Sequence, residues 1–140
     1  MIQRVQTVYL AVGGLALLGL LPFDAVWSSE AATSFGWFKP ASVGAIILTA
    51  IVAIGAIFMY NKRPKQRSLV VGVQVLTVLT MLITFGGLYF AGALQPMLAT
   101  LTLASGAVLA LPVLAYIFFF LARRSIDKDI ALIKSMDRLR

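Results

Sequence analysis

Charge is missing from three long stretches of the chain: between Arg4 and Asp24, between Lys39 and Lys62, and between Arg67 and Arg123. Each is rich in aliphatic and aromatic residues, and a helix needs about 20 such residues to cross the hydrocarbon layer of a bilayer. The first holds TVYLAVGGLALLGLLPF, room for one crossing, with Pro22 near its far end where a helix is expected to stop. The second opens on Pro40, suited to a first helical turn, and continues ASVGAIILTAIVAIGAIFMY. The third, residues 68–122, would be about 80 Å long as one helix and must fold back once. FAGALQP, from Phe90 to Pro96, carries the breaker residues. The pattern therefore predicts an all-α, integral membrane four-helix bundle. It forms one domain, residues 1–140, with spans over about 5–23, 40–61, 68–91 and 96–122.

The tail, residues 123–140, has a different period. At 100° per residue, Ile126, Ile130, Ile133, Met136, Leu132 and Leu139 fall on one half of a helix, and Lys128, Lys134 and Arg138 fall mostly on the other. This predicts a short amphipathic C-terminal helix, continuing the fourth span or turning along the membrane surface. Composition agrees with membrane residence. The chain is 61% hydrophobic and 12% charged, where ordinary globular domains are about 25% charged.

Charge then sets direction. Arg4, the run Lys62, Arg63, Lys65 and Arg67, and six Lys and Arg of the tail fall on one side of the predicted topology. Lys39 alone falls on the other. Lys and Arg collect on the cytoplasmic side, so both termini are expected there. A basic start before an apolar stretch is also how a signal peptide begins, and Ser29-Glu30-Ala31 offers a cleavage site. The apolar segment is longer than a typical signal core, so it is expected to stay as the first helix. The outer loop DAVWSSEAATSFGWFK carries Trp27, Trp37 and Phe38, expected to anchor it at headgroup level.

The residue inventory excludes much chemistry. The chain has no cysteine and no histidine, which removes disulfides, thiolates, imidazole bases and Cys- or His-based metal sites. No span carries a charged residue, the usual mark of an ion path or proton relay. Asp24, Glu30 and the tail acids are expected at the surface and apart, so no catalytic, cofactor or metal site is expected. Gln74, Thr77, Thr80 and Ser105, with Thr49, Thr84, Thr100 and Thr102, are the polar groups inside the spans. Such groups hydrogen-bond helix to helix or line a polar ligand site. Small residues at four-residue steps, Ala41, Ala45, Thr49 and Ala53, then Thr102, Gly106 and Ala110, favour close helix approach. Pro112 is expected to bend the fourth span.

The start MIQRVQTVYL, the loop NKRPKQR and the ending SIDKDIALIKSMDRLR resemble an uncharacterised family of small four-span proteins from Bacteroidota, domain of unknown function 4293. Its ending has the form A-x-R-x-I-x-x-D-x-A-L with a closing S-x-D-R-L-R. Ala122, Arg124, Ile126, Asp129, Ala131, Leu132, Ser135, Asp137, Arg138, Leu139 and Arg140 fit it. In the loop, Arg63, Gln66 and Leu69 fit, while Arg67 follows Gln66 directly where the family's pattern leaves one residue between. The resemblance implies a bacterial inner membrane and no known activity. Because these residues all fall on the cytoplasmic side, a polar cluster of Gln3, Arg4, Arg63, Gln66, Arg124, Asp137 and Arg138 is expected where termini and loop meet.

The function expected is that of a non-catalytic accessory, assembly or anchoring subunit acting through its basic cytoplasmic face. The alternative is a small transporter or a lipid- or hydrophobe-binding bundle. Membrane lipids, including anionic headgroups, and a protein partner or second copy are the expected partners. Nucleic acid is not, because the basic residues flank apolar spans.

Overall fold

The computed structural model describes residues 2–137, and of these the side chains of all but Ile2, Gln3, Arg4, Ala25 and Asp137. The described residues form seven helices and no strand: α1 Ile2–Leu18, α2 Asp24–Trp27, α3 Glu30–Ser34, α4 Phe38–Phe58, α5 Arg63–Phe90, α6 Leu94–Ala99 and α7 Leu103–Asp137. Three of them, α4, α5 and α7, are long and apolar enough to cross a membrane.

Local chemistry explains where the helices end. Pro22 has no N–H to continue α1, and the chain beyond Leu18 tightens into single turns, with Leu20 N donating to Leu17 O at 3.1 Å and Leu21 N to Leu18 O at 3.0 Å. The first helix thus stops short of residue 23. The expected outer loop is instead mostly helical, folded into α2 and α3. Trp27 Nε1 donates to Leu21 O at 2.9 Å, tying that segment to the end of α1, whereas Trp37 is exposed. The run RPKQR is not a loop but the first turn and a half of α5, with Pro64 in the first turn where a missing N–H costs nothing.

At the FAGALQP break, Gly92 sits at φ 74°. Ala93 N reaches Leu88 O at 3.0 Å, and Gly92 N reaches Tyr89 O at 3.0 Å. This paired closure satisfies two end carbonyls of α5 and needs a left-handed residue between them. The fourth span does not begin at residue 96. The short α6 intervenes, and α7 starts at Leu103 behind a reciprocal cap: Thr102 N donates to Ser105 Oγ at 2.9 Å, and Ser105 N to Thr102 Oγ1 at 3.2 Å. From there α7 runs through Pro112 and on past residue 122 as one helix of 35 residues, about 52 Å at 1.5 Å per residue. Residues 123–137 therefore continue α7 and do not form a separate surface helix.

Each of the four longest helices packs mainly on two others: α1 on α7 and α4, and α5 on α4 and α7. Leu10 and Leu17 of α1, Ile46, Ala53 and Ala56 of α4, Val70 and Val73 of α5, and Ala115, Phe119 and Ala122 of α7 are buried together in one core. On α4 and α5 the outer faces are more apolar than the inner ones. Ile47, Leu48, Ile51 and Ile54 of α4 and Val75, Val78, Leu79 and Leu82 of α5 are exposed, whereas Ser42, Thr49, Gln66, Gln74, Thr77, Thr80 and Thr84 are buried. In water that arrangement would leave an apolar patch far larger than soluble monomers carry. Against lipid it has no such penalty.

Candidate functional site

Cross-helix pairs fix the relative direction of the helices. Gln6 on α1 meets Asp129 on α7, and Arg67 and Gln74 on α5 meet Asp127 and Arg123 on α7. In each pair an early residue of one helix meets a late one of α7, so α7 is antiparallel to both α1 and α5. The starts of α1 and α5 and the end of α7 therefore share one end of the molecule. Lys62, Arg63, Lys65, Arg67, Arg123, Arg124, Lys128 and Lys134 are gathered there, while Lys39 with Asp24 and Glu30 lies at the other.

Two carboxylates organise this basic end. Asp127 accepts from Arg67 Nε at 2.5 Å, with Arg123 Nε 3.9 Å from its other oxygen. Arg123 Nη1 in turn donates to Gln74 Oε1 at 3.4 Å. The result is a chain of polar contacts from α5 to α7 and back, in which the buried Gln74 amide oxygen takes its donor from an arginine reaching inward. Asp129, two residues on and so on another face of α7, is 5% exposed and accepts from Gln6 Nε2 at 2.5 Å, with Gln6 4% exposed. Asp129 thus departs from the expectation that all acids lie at the surface. It is a buried carboxylate held by an amide from another helix.

The two clamps differ in worth. Arg67 and Asp127 are 43% and 41% exposed, and an ion pair this open to solvent contributes at most about 0.5–1 kcal/mol. Arg67→Gln is therefore expected to lower stability by about 0.5 kcal/mol, read as a thermal melt of the purified protein in micelles, with the loss shrinking as salt is raised.

The residues singled out in the sequence are dispersed. Of the expected polar cluster, Arg138 and the side chains of Gln3, Arg4 and Asp137 lie outside the described residues. The three described members face three different surroundings. Arg63 lines a cavity of about 380 Å³ with Asn61, Lys62, Pro64, Ile130, Ile133 and Lys134. Gln66 is buried and donates through Nε2 to Ala56 O at 3.1 Å, closing the α4–α5 turn. Arg124 lies in a groove between α1 and α7. No hydrogen bond or ion pair among the described residues joins the three side chains to one another.

The polar groups within the spans are mostly satisfied by their own helices. Thr49, Thr77 and Thr80 donate to the carbonyls four residues back at 2.7, 2.7 and 2.8 Å, with Thr49 and Thr80 also 3.4 Å apart across α4 and α5. Ser105 is spent on the cap of α7. Of the span residues singled out in the sequence, Gln74, through Arg123, and the Thr49–Thr80 pair reach across helices. Ser42 Oγ and Thr84 Oγ1 are buried without a partner among the described residues. No group of three or more acidic, His or Cys side chains able to hold a metal occurs among the described residues.

Sequence reasoning missed the roles of Gln6, Arg67, Asp127 and Asp129. A partial signal existed for Asp127, which lies one turn after Arg123, and for Asp129, which sits seven residues from Ala122 and three from Ile126. Those three side chains occupy one buried face of α7.

No curated protein and no solved structure matches the chain. A family model does, over residues 2–139, and the chain belongs to the family described as domain of unknown function DUF4293.

Proposed function

We propose that this protein is a non-catalytic accessory, assembly or anchoring subunit of a bacterial inner membrane, which presents the end of α7 to a protein partner in the cytoplasm. In this reading α1 is a fourth crossing beside α4, α5 and α7. At 17 residues it spans about 25 Å, and the tight turns as far as Phe23 extend it. Both termini then lie on the cytoplasmic side, with the basic end, as Lys and Arg distribution favours.

One observation carries the proposal. Beyond Ile130, α7 continues as a helix in which residues 131–136 are all exposed, among them Leu132, Ile133 and Met136 at 52%, 37% and 63%. A hydrocarbon layer about 30 Å thick leaves roughly 20 Å of α7 outside it. Apolar side chains on a projecting helix gain nothing from water, and lipid cannot cover them all if the helix leaves the surface. A groove on a partner would bury them as helical anchors at steps of three and four. The Gln6–Asp129 and Arg67–Asp127 contacts sit at the root of the projection and hold its direction, which lowers the ordering cost of docking.

The test uses a tag inserted at Gly36, which is exposed with open space around it, and purification from native membranes in mild detergent. A stoichiometric protein is expected with the wild type and is expected to be lost with Leu132→Ser/Ile133→Ser/Met136→Ser, while the melting temperature of the variant stays that of the wild type. Retention of the same protein by the triple variant, or recovery of lipid alone from the wild type, would overturn the docking role.

The binder or transporter reading draws on a different observation, the unpartnered buried hydroxyls of Ser42 and Thr84. A ligand hydrogen-bonded there makes Thr84→Val destabilising only when ligand is present. If the hydroxyl is merely stranded, the isosteric valine is neutral or stabilising in every condition.

A further inference from the structure

We infer that the groove between α1 and α7 at the basic end is a binding site for a single anionic phospholipid, with its phosphodiester held by Arg124, Lys128, Ser125 and Tyr9. The groove measures about 380 Å³ and is lined by Val5 and Tyr9 from α1 and by Leu121, Arg124, Ser125 and Lys128 from α7. The α7 residues recur at steps of three, one and three, so they form one face of that helix. Val5 and Tyr9, four apart, form the facing row of α1.

The groove has the polarity of a phospholipid. A guanidinium, an ammonium and two hydroxyls are all able to donate to phosphate oxygens, the guanidinium as a fork. The lining contains no carboxylate. The nearest acids on α7 are engaged elsewhere: Asp127 with Arg67 and Arg123, and Asp129 with Gln6. Arg124 and Lys128 are left without an ion-pair partner among the described residues. Two cations side by side repel one another, and an anion between them removes that cost.

The apolar part points to a lipid over a free anion. Val5 and Leu121 give the groove an apolar part of its lining, and the same two rows continue along the molecule away from the basic end. The Phe118 ring lies 6.3 Å from that of Tyr9, and Val12 and Leu114 beyond it are exposed. A free phosphate would use only the polar end. A phospholipid uses both, with an acyl chain along the seam between α1 and α7. The inference relies on the basic end lying at a membrane surface, as under the proposed function, but not on any protein partner.

The test is native mass spectrometry of the full-length protein released from micelles, titrated with phosphatidylglycerol or with phosphatidylcholine of the same acyl chains. One phosphatidylglycerol per chain is expected to be retained in preference to phosphatidylcholine. Arg124→Gln/Lys128→Gln is expected to weaken that retention about 30-fold. Arg63→Gln/Lys134→Gln, which removes the same charge from the cavity on the α5 side, is expected to leave it unchanged. Tyr9→Phe, which keeps the ring and loses only the hydroxyl, is expected to fall between.

Equal losses in the two charge-matched variants would overturn the site in favour of diffuse attraction. So would equal retention of the two lipids, or displacement of phosphatidylglycerol by millimolar inorganic phosphate, which would mark a free-anion site. Lipid retention that survives in the α7 projection variant while the protein partner is lost separates this site from the docking role.

Discussion

Gln6→Leu is expected to destabilise the protein by about 2–3 kcal/mol, more than the double variant Gln6→Leu/Asp129→Leu, which should lie within about 1 kcal/mol of the wild type. The ordering follows from burial. Gln6 and Asp129 are 4% and 5% exposed and meet at 2.5 Å. Removing the amide strands a carboxylate away from water, and an unpaired buried acceptor of that kind costs far more than the hydrogen bond contributes net. Replacing both partners removes the polar groups together and leaves an apolar contact between α1 and α7 in its place. Unfolding of the purified variants in micelles measures the order. A double variant worse than Gln6→Leu would mean that Asp129 is not anchored through Gln6.

The same pair separates structure from docking. Gln6 meets α7 at Asp129, just before Leu132 and Ile133, but is itself 4% exposed and so closed to a partner. A partner lost in Gln6→Leu at temperatures where the protein remains folded would therefore act through the direction of the projection. Recovery of the partner in the double variant, with α7 held by apolar packing, would place the role of the clamp in orientation alone.

Element existence was legible in the sequence because membrane helices are written in charge as well as in period. Charge-free runs located α1, α4, α5 and α7, and the Gly92 break was correct because only one residue in FAGALQP adopts a left-handed backbone without strain. Element ends were less legible. The positively charged RPKQR run looked like a loop but starts α5, since Pro64 at the second helical position signals a helix beginning as readily as a break. Residue 96 looked like the start of the last span, but the Thr102–Ser105 cap sets it at Leu103. That pair of short polar residues three apart is visible in the sequence, but its place inside an apolar run gives it the look of intramembrane packing.

The functional groups were harder for a reason of geometry. Gln6 and Asp129 are 123 residues apart, and Arg67 and Asp127 are 60 apart. Period places a residue on a face of its own helix but says nothing of which helix meets that face. The expected cluster chose residues by their position in chain-end motifs. The structure instead joins residues that face the same neighbouring helix, which is why Gln66 turns to Ala56 while Arg67, next to it, turns to Asp127. The rows of small residues fare unevenly: in α4 Thr49 and Ala53 are buried, with Thr49 Oγ1 3.4 Å from Thr80 Oγ1 of α5, but the row at the start of α7 is not at an interface. Of Thr102, Gly106 and Ala110, none is buried, and a Cβ at Gly106 would meet open space. The close approaches occur at Gly13 and Gly87, single glycines in no four-residue row.

Gly87 gives the second large effect. Gly87→Ala is expected to cost about 3 kcal/mol, while Gly86→Ala, its immediate neighbour, is expected to be neutral or stabilising by up to about 1 kcal/mol. A methyl group at Gly87 would overlap Cδ2 and Cε2 of the Phe38 ring, whereas one at Gly86 meets nothing within 4 Å. Phe38 is fully buried at the start of α4, so the ring has no free space to turn into, and α4 must back away from α5. In lipid that separation is costly because helices there are held by fitted packing, not by exclusion of apolar groups from water. It also falls where Ser42 and Thr84 already lie buried without partners. Phe38→Leu shortens the side chain at the point of overlap. Combined with Gly87→Ala it should recover more than half of the lost stability, a coupling that additive effects cannot produce. Additive losses in the double variant, or equal effects at Gly86 and Gly87, would show that the ring does not set the spacing of α4 and α5.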